Sequence, residues 1–288
     1  MSHIICIDLG GTKAHVAQVS KSGLGQVYRH DVPRHGTKQE VNDFIEYLVE
    51  SNMTRQSTGI AIGVPSAVRI SDGHIIDTVN IPNWHDVSLK HNLMHRFCVE
   101  TYVQNDANCF TLGEYYYGPH LPTDNLVGVT LGTGLGSGIV LNGALYTGKN
   151  GFAGEFGSFP YLDGIIEDYT SGQFFKRFAT DGAKEAEKAN LGDLKALNMF
   201  VQLGEHLGNA LAHVLLAFDP DKIVLGGSVA DSFPLFSQSM FSTLKQHSHS
   251  ALAEHVQVQP SRLQYAPLLG AYAGFTNQLI YSKELSDV

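Results

Sequence analysis

Two stretches of the chain combine residue types and spacing that could handle a phosphate chain. One reads Asp8-Leu9-Gly10-Gly11-Thr12-Lys13, the other Leu131-Gly132-Thr133-Gly134-Leu135-Gly136-Ser137-Gly138. Glycine at that density gives up backbone entropy and side-chain packing, so each turn needs a positive φ or the close approach of its main-chain N–H groups to something. An anionic phosphate suits such a concavity. A bare hairpin tip is the competing reading of one such loop. Two copies in one chain favour a duplicated strand-turn-strand unit, with both turns facing one phosphate chain. Asp8 closes an apolar run where the first turn begins, from which a carboxylate can hold magnesium through water; turn capping is its other reading. Thr12 and Lys13 add a hydroxyl and an ammonium. Neither turn is a Walker loop, which needs Gly-x-x-x-x-Gly-Lys-Ser/Thr. Nor does the second fit the dinucleotide fingerprint: counted from Gly132 its last glycine position holds Ser137, and counted from Gly134 it holds Ile139.

Carboxylates and amides supply the other half of a transfer reaction. Asn105-Asp106 follows the extended run Thr101–Gln104. A carboxylate at a strand end can take the proton of a substrate hydroxyl while the amide beside it fixes a neighbouring hydroxyl. Capping the apolar helix that follows is an equal reading of Asp106 from context alone. Glu155, inside the glycine-rich stretch Gly148–Gly157, can accept hydrogen bonds from hydroxyls. Asn80 and Asn83 can each donate and accept, as discriminating hydroxyls requires, with loop capping as the competitor. Trp84, the only tryptophan, suits a ligand-stacking platform or a core equally.

The 288 residues are enough to bury a large core in two domains, and a 43% hydrophobic content is that of an ordinary globular protein. A net charge of -9 leaves no electrostatic footprint for nucleic acid or acidic membranes, and no apolar run approaches membrane-spanning length. The three cysteines, Cys6, Cys98 and Cys109, are scattered and odd in number. They argue against a disulfide framework and for a reducing cytoplasm. Of the fourteen histidines most are scattered, and His247-Ser248-His249 lies in a polar stretch, so a histidine metal site is not expected.

The elements that would position these groups follow from periodicity. Val41, Phe44, Ile45, Leu48 and Val49 predict an amphipathic helix over 39–51. Gly59–Val64 reads as a buried strand closed by Pro65-Ser66, and Asn142-Gly143 as a hairpin turn. The charged stretch Lys176–Lys188 reads as a solvated helix or loop. Ala196–Phe218 reads as a long helix with Gly204 and Gly208 on one face, and Lys222–Leu225 as a strand entering Gly226-Gly227-Ser228. The run from Leu268 through Ile280 reads as a terminal helix.

Asp8-Leu-Gly-Gly-Thr-Lys13, Asn105-Asp106-Ala-Asn108, Leu131–Gly138 and Asn150-Gly-Phe-Ala-Gly-Glu155-Phe-Gly157 resemble, in order and spacing, the signatures of the ROK family of sugar kinases and repressors. The resemblance covers nearly the whole chain. It implies an α/β, two-domain actin/hexokinase-like (ribonuclease H-like) ATPase fold, with a cleft that closes on sugar. The smaller domain would comprise 1–111 plus 275–288, and the larger 112–274. It implies ATP-dependent phosphorylation of a hexose at the 6-hydroxyl, glucose foremost, with Asp106 as general base. Kinases for fructose, mannose or an N-acetylated amino sugar stay open, as does polyphosphate as donor. Asp8, Gly10, Gly11, Thr12, Lys13, Gly132, Thr133, Gly134 and Gly136 would hold the phosphates with Mg²⁺ near Asp8, and Gly226 and Gly227 the adenosine. Ser66, where the family usually has glycine, would touch the sugar together with Asn80, Asn83, Asn105, Asp106, Glu155, Ser158 and Glu167.

The chain departs from the family pattern after Gly157. Ser158 replaces a histidine, and Phe159-Pro-Tyr-Leu-Asp-Gly-Ile-Ile166 replaces a cysteine-rich zinc cluster. No cysteine follows Cys109, so no structural zinc is expected. Positioning of Glu167 would then rest on packing by Tyr161, Leu162 and Ile165. A non-catalytic sugar sensor is the alternative of another class. A repressor with an added N-terminal DNA-binding segment is not expected, because the phosphate turn begins at Asp8. The family also implies a homodimer.

Overall fold

In the computed structural model, which describes residues 2–78, 80–120, 122–247 and 250–286, the β-branched run His3–Leu9 pairs antiparallel with Lys13–Ser20. Strand Ser57–Val64 lies parallel on the other side of His3–Leu9, and Glu100–Asn105 lies parallel beyond it. The central strands are apolar at nearly every position because both faces of the sheet are covered. Helix Lys38–Asn52 packs Val41, Ile45, Leu48 and Val49 into the core on one face. Its start is fixed by a capping box: Thr37 accepts from the Glu40 N–H while the Glu40 carboxylate accepts from the Thr37 N–H.

The opposite face is closed by the terminal helix Ala266–Ser286, whose Leu268, Ala271, Tyr272 and Phe275 bury Cys6, Ala61 and Cys109. That helix also crosses helix Asp106–Tyr117 at backbone contact. A Cβ on Gly270 would lie 1.7 Å from the Cys109 carbonyl oxygen, and one on Gly113 would lie 2.0 Å from that of Ala266. Any side chain at either position would drive the two backbones apart.

A second sheet repeats the succession. Leu126–Leu131 pairs antiparallel with Leu135–Leu141, then Lys222–Gly226 lies parallel to Leu126–Leu131 and Gln257–Pro260 parallel beyond it. Each sheet is therefore built on a hairpin followed by two parallel strands, the succession foreseen from the paired glycine turns, with short edge strands added to make six strands in the first and five in the second. Asn142-Gly143 takes the left-handed φ pair of 51° and 80° that a two-residue hairpin turn demands. The long helix Leu194–Phe218 is capped by the Asp193 side chain and buries Leu203, Leu207, Leu211 and Leu215 along its length. Its Gly204 and Gly208 admit the backbone of helix Phe233–His247, which no periodicity had signalled. Helix Gly182–Asn190 occupies the charged stretch and is mostly exposed, though Glu185 is buried and bonded to Thr180 and Lys188.

The chain divides into two compact units: Met1–His120, Leu145–Ala153 and Leu263–Val288 form one, Leu121–Ala144 and Gly154–Arg262 the other. These boundaries differ from 1–111 plus 275–288. Helix Asp106–Tyr117 runs unbroken past 111 and packs along the terminal helix from Ala266, so 112–120 and 263–274 belong with the first unit. Ser248 and His249 lie outside the described residues. No helix among the described residues is long and apolar enough to cross a membrane.

Candidate functional site

Strand register brings the first unit's carboxylates to one edge. Asp8 lies opposite Gly63, Gly63 opposite Gln104 and Val64 opposite Asn105, so three strands end level. Asp106 follows as the first residue of helix Asp106–Tyr117. The missing side chain of Gly63 keeps this edge open: a Cβ there would meet Cys109 Sγ at 3.1 Å and Asp106 Cα at 3.6 Å. Helix capping falls to Asn105, whose Oδ1 accepts from the Asn108 N–H at 3.0 Å while its Nδ2 donates to the Ser66 carbonyl at 3.3 Å. The Asp106 carboxylate accepts from the Ala107 N–H at 2.8 Å, at the N-terminus of that helix. Burial chiefly, and then the charges of Asp8 and Asp106, hold the Cys109 thiol well above its ordinary pKa, so both carboxylates act on one buried sulfur.

Asp8 has a neighbour that sequence reasoning missed. His15 Nδ1 lies 3.5 Å from Asp8 Oδ2, with the Tyr265 ring edge-on at 5.7 Å. The signal was available, because Asp8 and His15 are register partners across the hairpin. The turn between them is closed by Gly10 N–H donating to the Lys13 carbonyl at 2.9 Å, which leaves Thr12 and Lys13 exposed. Gly11 is needed for contact: a Cβ there would lie 2.5 Å from Asn80 Cβ.

The remaining first-unit candidates divide. Ser66 is buried, and its one hydroxyl proton is shared between the carbonyls of Ala67 and Asp77. Asn83 is exposed and donates to the Gly36 carbonyl at 3.1 Å, pinning its loop to the turn before helix Lys38–Asn52. Trp84 is fully buried and donates its Nε1–H to Asn42 Oδ1 at 2.8 Å. Its ring is core, so the platform reading falls.

In the second unit the turn Gly132-Thr133-Gly134 joins the hairpin strands. Gly226 pairs with Thr130, and Gly227, at φ 84°, presses on the Leu131 backbone where a Cβ would come within 2.4 Å of its carbonyl oxygen. Beside this junction lies a cavity of about 300 Å³ whose wall includes Gly132, Thr133, Gly172, Phe175, Ser228 and Val229. Lys176, Asp181 and Gly182 also belong to that wall, so the charged stretch read as solvated lines the pocket too.

Gly136 lies on the second hairpin strand, its carbonyl accepting from Thr130 Oγ1 at 3.3 Å. The next residue, Ser137, donates its hydroxyl to the Gly154 carbonyl and so tethers the Glu155 segment to the hairpin. Glu155 is surface-accessible, yet enough protein crowds its carboxyl to raise its pKa, and the charge of Glu167 raises it further. Ser158 ends the single turn Phe156–Ser158 and is exposed. Glu167 is held otherwise than expected. Leu162 is 71% exposed at the tip of a small hairpin, at φ 51°, and packs on nothing that could position a carboxylate. A hydrogen bond does the positioning instead: the Leu135 N–H donates to Glu167 Oε2 at 2.8 Å.

The hairpin Pro160–Tyr161 and Gly164–Ile165 stands where the resemblance would put a metal cluster. Its loop contributes one carboxylate, Asp163, paired with Arg177 at 3.5 Å, and no thiol or imidazole; these residues do not fit zinc. What fastens the hairpin is organic. Asn209 Nδ2 lies 3.2 Å and His206 Nδ1 3.1 Å from Tyr161 Oη, and the Arg177 guanidinium sits 4.3 Å over the Tyr169 ring. Burial keeps the His206 imidazole below its ordinary pKa, and its ring packs edge-on against Tyr161 and Tyr169.

Known proteins share this architecture and sequence. A glucokinase of Thermotoga maritima is 29% identical over 260 residues, covering 79% of this chain and 82% of that protein. A xylose repressor of Bacillus subtilis is 32% identical over 230 residues, 74% of this chain, which spans 59% of the repressor's length. The crystal structure of a ROK family glucokinase from Streptomyces griseus, in complex with glucose and AMPPNP, superposes with a TM-score of 0.81. It is 26% identical, and the match covers 94% of this chain and 98% of that one. The mixed sheets are those of the actin/hexokinase-like fold. With the ROK family model matching residues 4–277, and a hairpin with two parallel strands built twice along that span, the chain belongs to the ROK family.

Proposed function

We propose that this protein is an ATP-dependent hexose 6-kinase acting foremost on glucose. The observation that carries the reading is the level edge of the first sheet, where Asp8, Asn105 and Asp106 stand together. In the proposed reaction Asp106 accepts the proton of the sugar O6 as that oxygen attacks the γ-phosphorus of ATP in line. The bond from phosphorus to the bridging oxygen breaks, and ADP leaves with its electron pair. Lys13, Thr12 and the glycine turns position the phosphates, and phosphoryl transfer asks little more of a protein than positioning and charge stabilisation. Asp8 would hold Mg²⁺ through water, where the ion supplies charge neutralisation for the phosphates; an accessible carboxylate at an open edge fits that part. The nucleotide base and ribose are assigned to the 300 Å³ cavity, and Glu155 to the sugar hydroxyls.

Support comes from the glucokinase relatives and from glucose and AMPPNP bound in the Streptomyces griseus structure. The xylose repressor match supports a second reading, a sugar sensor without transfer. Coupled ADP release measured over glucose, fructose, mannose and N-acetylglucosamine separates the two, since a sensor releases none with any sugar. Asp106→Ala is expected to lower kcat by on the order of 10²–10⁴ with a modest change in sugar KM. Near-full turnover in that variant would remove Asp106 as the base.

A further inference from the structure

Glu167 stands in the sequence as one of the sugar's candidate ligands, but its contacts run toward the glycine turn. Its Oε2 accepts the Leu135 N–H at 2.8 Å, and a Cβ on Gly134 would lie 2.2 Å from the same oxygen. The carboxylate therefore lies flat against the turn backbone, in space that only a glycine leaves. The contact belongs to a short seam. Ser171 Oγ lies within hydrogen-bond distance of the carbonyls of Thr133, at 3.3 Å, and Glu167, at 2.8 Å, and the Gly172 N–H donates to the Gly132 carbonyl at 2.8 Å. Gly172 is also part of the cavity wall.

The seam decides which turn amides have protein acceptors. The Gly132 N–H bonds to the Gly134 carbonyl and the Leu135 N–H to Glu167. The N–H groups of Thr133 and Gly134, between them, have no acceptor among the described residues. A three-residue turn with both flanks fixed and its two middle donors unspent is preorganised for an anionic ligand, because the ordering entropy is already spent before binding.

We propose that Glu167 is a positioning residue for the phosphoryl donor: its carboxylate braces the Gly132-Thr133-Gly134 turn so that the turn's free amides hold the nucleotide's phosphates. The inference rests on the reading of the adjoining cavity as a nucleotide site. It gives Glu167 an effect on donor affinity that is present without any sugar.

The experiment is equilibrium binding of a non-hydrolysable ATP analogue with Mg²⁺ and no sugar, alongside separate KM values for ATP and glucose. Glu167→Ala is expected to weaken analogue binding measured without sugar and to raise the ATP KM by roughly ten- to a hundred-fold, the loss of one charge-assisted hydrogen bond. Glu167→Gln keeps an acceptor for the Leu135 N–H and is expected to recover most of that loss. Ser171→Ala, which cuts the second stitch, is expected to weaken the analogue several-fold, and it carries the test together with Glu167→Gln should Glu167→Ala not fold. Analogue affinity unchanged in Glu167→Ala or Ser171→Ala, or a loss confined to glucose KM, overturns the proposal. Wild-type protein that binds no analogue overturns the kinase reading itself, a separate result.

Discussion

The two glycine turns look alike in sequence and are backed by different things. Each joins antiparallel strands through three residues, Gly10-Gly11-Thr12 in one and Gly132-Thr133-Gly134 in the other. None of these four glycines takes the left-handed φ that glycine usually serves. Close approach explains three of them. Gly10 meets the Lys13 carbonyl oxygen, Gly11 meets an amide side chain from the 78–84 loop, and Gly134 meets the Glu167 carboxylate. Gly132 has open space before it. A neutral, loop-borne neighbour can yield; a carboxylate hydrogen-bonded to the next N–H cannot move without giving up that bond. The first turn is thus packed and the second is braced.

That difference can be broken by adding one methyl group at a time. Gly134→Ala should do most damage, placing a Cβ 2.2 Å from Glu167 Oε2 and raising the ATP KM by roughly ten-fold or more. Adding Glu167→Ala to it should cost less than the two single losses summed, because both remove the same brace. Gly11→Ala should act on stability first. The Cβ would sit 2.5 Å from Asn80 Cβ, an overpacking worth about 1–3 kcal/mol, seen as a fall of several degrees in Tm that Asn80→Gly relieves.

The charge that braces the second turn has a smaller consequence at Glu155. Burial and then Glu167 hold the Glu155 pKa above its ordinary value, so protonation intrudes at a higher pH than for a free glutamate. If the ionised form takes sugar hydroxyls, kcat/KM for glucose should fall as pH drops through that raised pKa. Glu155→Gln should lose this acid limb. By the same shift the folded state binds the proton more tightly than the unfolded chain, so this group subtracts stability as pH rises. Gly132→Ala should change least, with Tm within about 2 °C, since nothing stands within 4 Å of the added atom.

Much of the scaffold was legible. Strand alternation, the helix over 39–51 and the glycine pair on the long helix each follow from periods of two and 3.6, and the structure carries them at Lys38–Asn52 and Leu194–Phe218. That Asp8 and Asp106 each stand at a strand end was legible too, because Asp8 closes an apolar run and Asp106 follows the extended run Thr101–Gln104. Orientation was not. That Trp84 turns inward depends on Asn42 offering an acceptor 42 positions away, and that Glu167 faces the glycine turn depends on how a four-residue helix docks. Helix Phe233–His247 gave a weak signal for a related reason. Its partner supplies glycines, so backbone contact replaces the broad apolar stripe that would have announced it.

The helix that begins at Ala266 covers Cys6 and Ala61, strand residues made some two hundred positions earlier. During synthesis the opening sheet must wait, one apolar face wet, while the whole second unit leaves the ribosome. A message cut short near Arg262 would therefore yield no half-working fragment, only a sheet with an uncovered side for chaperones and proteases to find.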